Sequence, residues 1–222
     1  MKSPELRKEL SELVLHKRGI RINLQLSLIE SEDEICLRSA DALAQRLTAL
    51  RLLRHFSISD TNQKVAIRQS IKSNQLHACF SPAERHYLLH DTDQDGVHDL
   101  DGLSTNGEAF HFLLWAGGLQ KSIGMPDGQI FASVAEQIIA PLPESPAALI
   151  SSIKLRSKSE MLDWADLLYR LHWAVRHAHI TGKPTPGRLN ADAVHEWHKA
   201  VNWLIQFDDE NDWDKVSTET AG

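Results

Sequence analysis

An all-α fold is what the sequence predicts, a single domain over residues 1–222 arranged as a multi-helix bundle with a long C-terminal helical hairpin. Three observations carry that expectation. Helix-starting signals recur along the chain, each followed by apolar residues three and four apart. Only one run alternates in the manner of a strand, and it has no evident second run to pair with. The last third holds two long amphipathic segments separated by the turn-forming PTPGR, which suits an antiparallel helical pair.

The first helix opens at Ser3-Pro4-Glu5, where the serine hydroxyl can accept from a first-turn amide and proline forfeits no hydrogen bond. Leu6, Leu10, Leu13 and Val14 share one face of it, and Gly19 ends it. RINLQLSLIE, residues 21–30, alternates Ile22, Leu24, Leu26 and Leu28 and reads as an extended connector. Ser31 and Glu34 have capping-box spacing, which predicts a long helix through Leu37, Ala40, Leu43, Ala44, Leu47 and Leu50 to about Phe56. Asp60 is expected to cap a third helix bearing Val65, Ile67 and Ile71, and Ser81-Pro82-Ala83-Glu84 to start a short one ending about His90. An acidic loop is then expected over 91–106, followed by a core helix, GEAFHFLLWAGGLQ, closed by Gly124 and Pro126. Residues 126–157, rich in Pro, Ser and Gln, read as an irregular connection with broken helices. KSEMLDWADLLYRLHWAVRHAHITG supplies about six turns ending near Gly182, and LNADAVHEWHKAVNWLIQF, capped by Asn190, supplies the second arm.

Composition narrows the class of function. Apolar residues make up 42% and charged residues 24%, and no apolar run reaches the ~18 residues of a membrane-spanning helix. The first residues interleave charges with apolar side chains and lack a secretory apolar stretch, so a soluble cytoplasmic protein with no membrane partner is expected. Thirty acidic against 24 basic residues give a net charge of −6, which argues against a nucleic-acid partner. Cys36 and Cys79 show neither paired nor metal-ligating spacing and are expected to be small buried hydrophobes.

Six segments carry a resemblance: LRSADALAQRLTAL at 37–50, SPAERHYL at 81–88, GEAFHFLLWAGGL at 107–119, LDWADLLYRLHWAVRHA at 162–178, VHEWHKAVNWLI at 194–205 and WDKVSTET at 213–220. In order and spacing they resemble the bacterial family called domain of unknown function 4272 over most of the chain. The Tyr169 to Trp173 run and the Glu196-Trp197-His198 to Asn202-Trp203 run followed by Trp213-Asp214 are specific in combination. The resemblance implies a helical fold and a bacterial cytosolic setting, and it transfers no catalytic residue. Where the family leads into the helix at 107 with an aromatic-basic pair, this chain has Asn106-Gly107. Stretch 91–102 falls where members of the family are expected to vary.

DTDQDGVHDLDG, residues 91–102, is the local pattern with the plainest chemistry. Asp91, Asp93 and Asp95 at alternate positions before Gly96 match the first half of a calcium loop, which gathers oxygen ligands around a hard cation. The twelfth position, where a bidentate carboxylate belongs, is Gly102, so Asp99 and Asp101 are the substitute ligands in a looser calcium reading; a solvated acidic loop is the plainer one and no cofactor is expected. On the C-terminal arms Asp166, Arg170 and His177 lie near one stripe, and His195, His198, Asn202 and Gln206 near another. Their meeting, with Glu108 and Glu196, would offer imidazoles and carboxylates for metal binding or acid-base work. The same residues equally suit a structural network at a half-buried, tryptophan-rich interface. Glu108-x-x-His111 and Asp192-x-x-His195 have the carboxylate-histidine spacing of di-iron bundles, while HEWH is not the zinc-protease motif and AGGLQKS is not a phosphate loop. The function expected from this balance is non-enzymatic binding to a protein partner. The alternative is a metal-dependent hydrolase using Glu108, His172, His195 and His198 between the last two helices.

Overall fold

The structure is a computed structural model and describes residues 2–89, 100–128, 137, 139–140, 142–143 and 145–220, the side chains of 100–106 excepted. Its helices are α1 (Pro4–Lys17), α2 (Ala40–Ile58), α3 (Thr61–Ser73), α4 (Pro82–Leu89), α5 (Leu100–Ala116), α6 (Pro146–Ile150), α7 (Lys158–Ile180) and α8 (Ala191–Leu204). Short 3₁₀ turns lie at Leu76–Cys79, Pro186–Arg188, Phe207–Asp209 and Trp213–Lys215, and no strand occurs among the described residues. The fold is all-α, and residues 21–30 form the expected connector.

Most helix starts follow their local signals. Ser3 accepts from the Leu6 amide at 3.3 Å, and Asp60 and Gln63 form a reciprocal box at 2.9 and 3.0 Å. Ser81 and Glu84 do the same for α4, Ser157 and Glu160 for α7, and Asn190 accepts from Ala193 at the head of α8. Each cap satisfies amides that the first turn leaves without an intrahelical partner.

Two boundaries differ from expectation. Only half of the Ser31–Glu34 box forms: the Ser31 amide and hydroxyl donate to Glu34 at 2.8 and 2.7 Å, but the Glu34 amide donates to the Ser31 carbonyl at 3.2 Å and closes a turn; α2 starts at Ala40 behind Ser39. The intervening backbone is engaged elsewhere: Lys158 Nζ donates to the carbonyls of Glu32 and Ile35, the Arg38 amide donates to Leu204 O, and Gln206 to Cys36 O. Tertiary bonds have outcompeted the helical ladder. The second difference is α5, which begins at Leu100, so residues 100–106 of the expected acidic loop are helical. Ala109–Ala116 are buried throughout, and helix propagation from that segment outweighs the roughly 1 kcal/mol cost of each of Gly102 and Gly107. Asp91, Asp93, Asp95 and Asp99 lie outside the described residues.

α5 is the central element, packed between α2 and α8; α8 pairs with α7, and α1 lies on α7. The main core joins Leu43–Leu50 of α2, the buried stretch of α5 and the inner faces of α7 and α8. A second cluster forms around Leu53, Phe56, Ile67, Ile71, Phe80 and Leu88, so α2 carries one core on its first half and another on its second. The two are bridged by Arg46, which pairs with buried Glu84 of α4 and lies 4.5 Å above the Trp213 ring. Asp214 completes the link by accepting from the Ala83 amide at 2.8 Å.

α1 is inverted relative to its pattern. Leu6, Leu10 and Leu13 are 43%, 42% and 46% exposed, whereas Arg7, Ser11 and Leu15 face α7. Arg7 tolerates burial because its guanidinium donates to the Lys2 carbonyl at 2.7 Å and meets Glu32 at 2.7 Å and Asp163 at 3.2 Å.

Candidate functional site

The hairpin brings three of the four predicted histidine and carboxylate candidates together. His172 of α7 and His198 of α8 are 7% and 3% exposed, and their Nδ1 atoms are 3.0 Å apart. The His195 ring stands edge-on to His172 with centroids 5.4 Å apart. Glu108 is buried on α5, and a carboxylate in contact with the cluster is Glu196, whose Oε1 lies 3.1 Å from His195 Nδ1.

The network fixes which nitrogen holds which proton. Asn202 Nδ2 donates to the Ser217 carbonyl at 2.9 Å, so its amide orientation is set, and the same nitrogen faces His198 Nε2 at 3.2 Å. His198 Nε2 must therefore accept, which puts the proton on Nδ1 and points it at His172 Nδ1. His172 Nδ1 is then an acceptor and its proton sits on Nε2, with the Thr218 backbone supporting the ring. A one-way chain runs from Asn202 through His198 and His172 to the C-terminal segment. It requires both rings to be neutral. Burial first, then the charges of His195 and Arg176, push His172 down to about 4; burial, then His172 and His195, hold His198 well below the usual histidine range.

The chain bears on metal chemistry. A histidine ligates through a lone pair, and here His198 Nδ1 carries a proton while His172 Nδ1 receives it. Among the described residues no group of three or more His, Cys, Asp or Glu side chains is placed to hold a metal ion. His111 stacks on Trp197, centroids 5.8 Å apart, within a nest of Phe112, Trp115, Trp164 and Trp197, and burial lowers its basicity. Its Nδ1 and Trp197 Nε1 have no hydrogen-bond partner among the described residues. Arginines meet the indoles through their ring faces instead, Arg38 over Trp203 at 4.6 Å and Arg156 over Trp115 at 4.4 Å, as a group with donors only must do.

Asp166 and Arg170, four apart on α7, form a buried bidentate pair at 2.7 and 2.9 Å, and Arg170 donates to the Ser27 carbonyl of the connector. They join α7 to the connector, and Arg170, two residues before His172, lies on nearly the opposite side of the helix from it. His177, expected on the same stripe, instead stacks on Trp173 with centroids 4.9 Å apart. Residues missed by local pattern are Ser217 and Thr218, whose backbone groups any sequence could supply and no side-chain motif announces.

Beside His172 and His195 a cavity of about 430 Å³ opens between the end of α7 and the start of α8; Arg176, His179, Lys183, Thr185 and Asp192 are among its lining residues. Arg176 is anchored by donating to the Thr220 hydroxyl at 3.0 Å. No helix among the described residues is long and apolar enough to cross a membrane. No curated protein and no solved structure matches the chain. The residues of this hairpin and of the central α5, with the tail as far as Val216, fall within 7–216, the span matched by the model of the family described as Domain of unknown function (DUF4272), and the chain belongs to that family.

Proposed function

We propose that the protein acts by binding another protein, and that its binding surface is the outward leucine row of α1. The observation that carries this reading is the inversion of α1: Leu6, Leu10 and Leu13 stand in water with the i, i+4, i+7 spacing of a helix-docking stripe, while an arginine occupies the inward side. Large apolar side chains in a row on a surface helix mark interaction sites. Glu9 lies three residues after Leu6 and four before Leu13, and Glu5 four before Glu9, so an exposed acidic row runs beside the leucines. The partner that fits is an amphipathic helix with an apolar stripe flanked by lysine or arginine. A second copy of α1 fits poorly, because antiparallel pairing sets acidic row against acidic row. The alternative of a metal-dependent hydrolase on Glu108, His172, His195 and His198 draws less support, since the proton between His198 and His172 occupies the position a metal would take.

A fluorescent synthetic peptide with leucines at i, i+4 and i+7 and lysines along one flank tests this by anisotropy, beside its glutamate-flanked twin. The lysine peptide is expected to bind, with affinity falling at least about tenfold in Leu10→Glu and with the glutamate twin. Equal binding of both peptides, binding indifferent to Leu10→Glu, no binding of the lysine peptide, or a dimer in sedimentation that Leu10→Glu dissolves would each overturn the proposal.

A further inference from the structure

We infer that the cavity between the end of α7 and the start of α8 is a binding site for a small phosphate monoester, through Arg176 and Lys183 as charge partners. The proposal is independent of the α1 surface.

Several features converge there. The volume of about 430 Å³ lies within the range of small-molecule sites. Arg176 and Lys183 place two fixed positive charges in the lining against one carboxylate, Asp192, in a protein whose overall charge is −6. That local reversal of sign is what an anion site requires. His179 and His195 add ring nitrogens, and because Glu196 engages His195 through Nδ1, Nε2 is the nitrogen left for a ligand. His172 is held neutral by its chain and forms a fixed wall.

Backbone dipoles add to the side chains. The first residues of α8, Ala191 and Asp192, border the cavity, so the positive end of a 14-residue helix faces it. The opposing negative end of α7 is largely consumed: the amides of Thr181, Gly182 and Lys183 donate to the carbonyls of His177, His179 and Ala178. Arg176 is pre-positioned by Thr220, so little ordering is needed when an anion arrives. Val175, Ile180 and Ala191 give the cavity an apolar side, which suits an organic body attached to the phosphate better than the bare ion.

The probe is phenyl phosphate, titrated into the full chain and followed by backbone amide NMR, with phenol and inorganic phosphate as parallel arms. The expected result is saturable shifts confined to residues 172–195 for phenyl phosphate, weaker ones for inorganic phosphate and none for phenol. Lys183→Glu, an exposed turn position outside the helices, is expected to lower the affinity at least about tenfold with an unchanged far-UV spectrum. Arg176→Lys, which keeps the charge and loses the planar fork, is expected to weaken binding less than Lys183→Glu does. Phenol shifting the same residues as strongly would show a merely apolar cavity, and shifts scattered over the surface or unaltered by Lys183→Glu would overturn the assignment, as would no shift at all in folded protein.

Discussion

The buried histidine chain sets a definite acid sensitivity. His172 titrates near 6.5 in an unfolded chain and is pushed to about 4 in the folded one, so the folded protein binds the His172 proton more weakly. Its neutral form therefore stabilises the fold in full above pH 6.5, and that contribution is lost as the pH falls from there toward 4. The separation of two and a half pH units corresponds to about 3 kcal/mol at the acid limit, and to about 2 kcal/mol of loss between pH 7 and pH 4.5. No discount for solvent screening applies to a ring 7% exposed. His172→Gln is the appropriate comparison, because its side-chain oxygen can accept from His198 without titrating. Urea unfolding at pH 7 and pH 4.5 is expected to show the parent losing about 2 kcal/mol more than the variant, with carboxylate effects common to both cancelling in the difference. Equal losses in the two proteins would refute the proton order deduced from Asn202, and a variant more acid-sensitive than the parent would reverse its sign.

Two further perturbations probe the scaffold around the site. At Gly118, with φ +72°, an added Cβ would come within 2.6 Å of the Lys154 carbonyl oxygen, whose own residue is tied by its amide to Gly117 O at 2.8 Å; Gly118→Ala is expected to lower stability by about 2 kcal/mol or more in denaturant titration, while Gly124→Ala, with nothing within 4 Å, stays within about 0.5 kcal/mol. Asp166→Asn leaves the Arg170 guanidinium, 1% exposed, without its counter-charge and is expected to cost about 3 to 5 kcal/mol, whereas Asp166→Leu with Arg170→Met is expected to recover most of that loss in a double-mutant cycle.

How far the residues disclose this molecule depends on the range of the interaction involved. Ser3, Asp60, Ser81 and Asn190 mark helix starts from sequence because a cap is completed within three residues. Ser31 and Glu34 have the same spacing and begin no helix, since Lys158, Leu204 and Gln206, more than 120 residues away, hold the backbone that would have continued it. The leucines of α1 form one face as the pattern says, but the pattern is silent on which way that face turns. Arg7 decides it by meeting Glu32, Ser159 and Asp163 on the inner side.

The same distinction separates the parts of the candidate site. Helical spacing places His195, His198 and Asn202 on one stripe and the hairpin brings His172 to it, so their proximity is legible from two local patterns and a turn. Their chemistry is not. It turns on the backbone groups of Ser217 and Thr218, delivered by a tail that is itself pinned by Trp213 against Trp203 and Arg46 and by Asp214 at the head of α4. Trp213-Asp214, read from the sequence only as a signature, is therefore the anchor that fixes the tautomers of His198 on the preceding helix and of His172 on the helix before it. A histidine cluster with the tail released would hold free lone pairs; with the tail in place it is a neutral structural pair bordering a cationic cavity. Any ligand chemistry at this hairpin then falls to the exposed members, His195, Arg176 and Lys183, rather than to the buried dyad that the sequence pattern first brings forward.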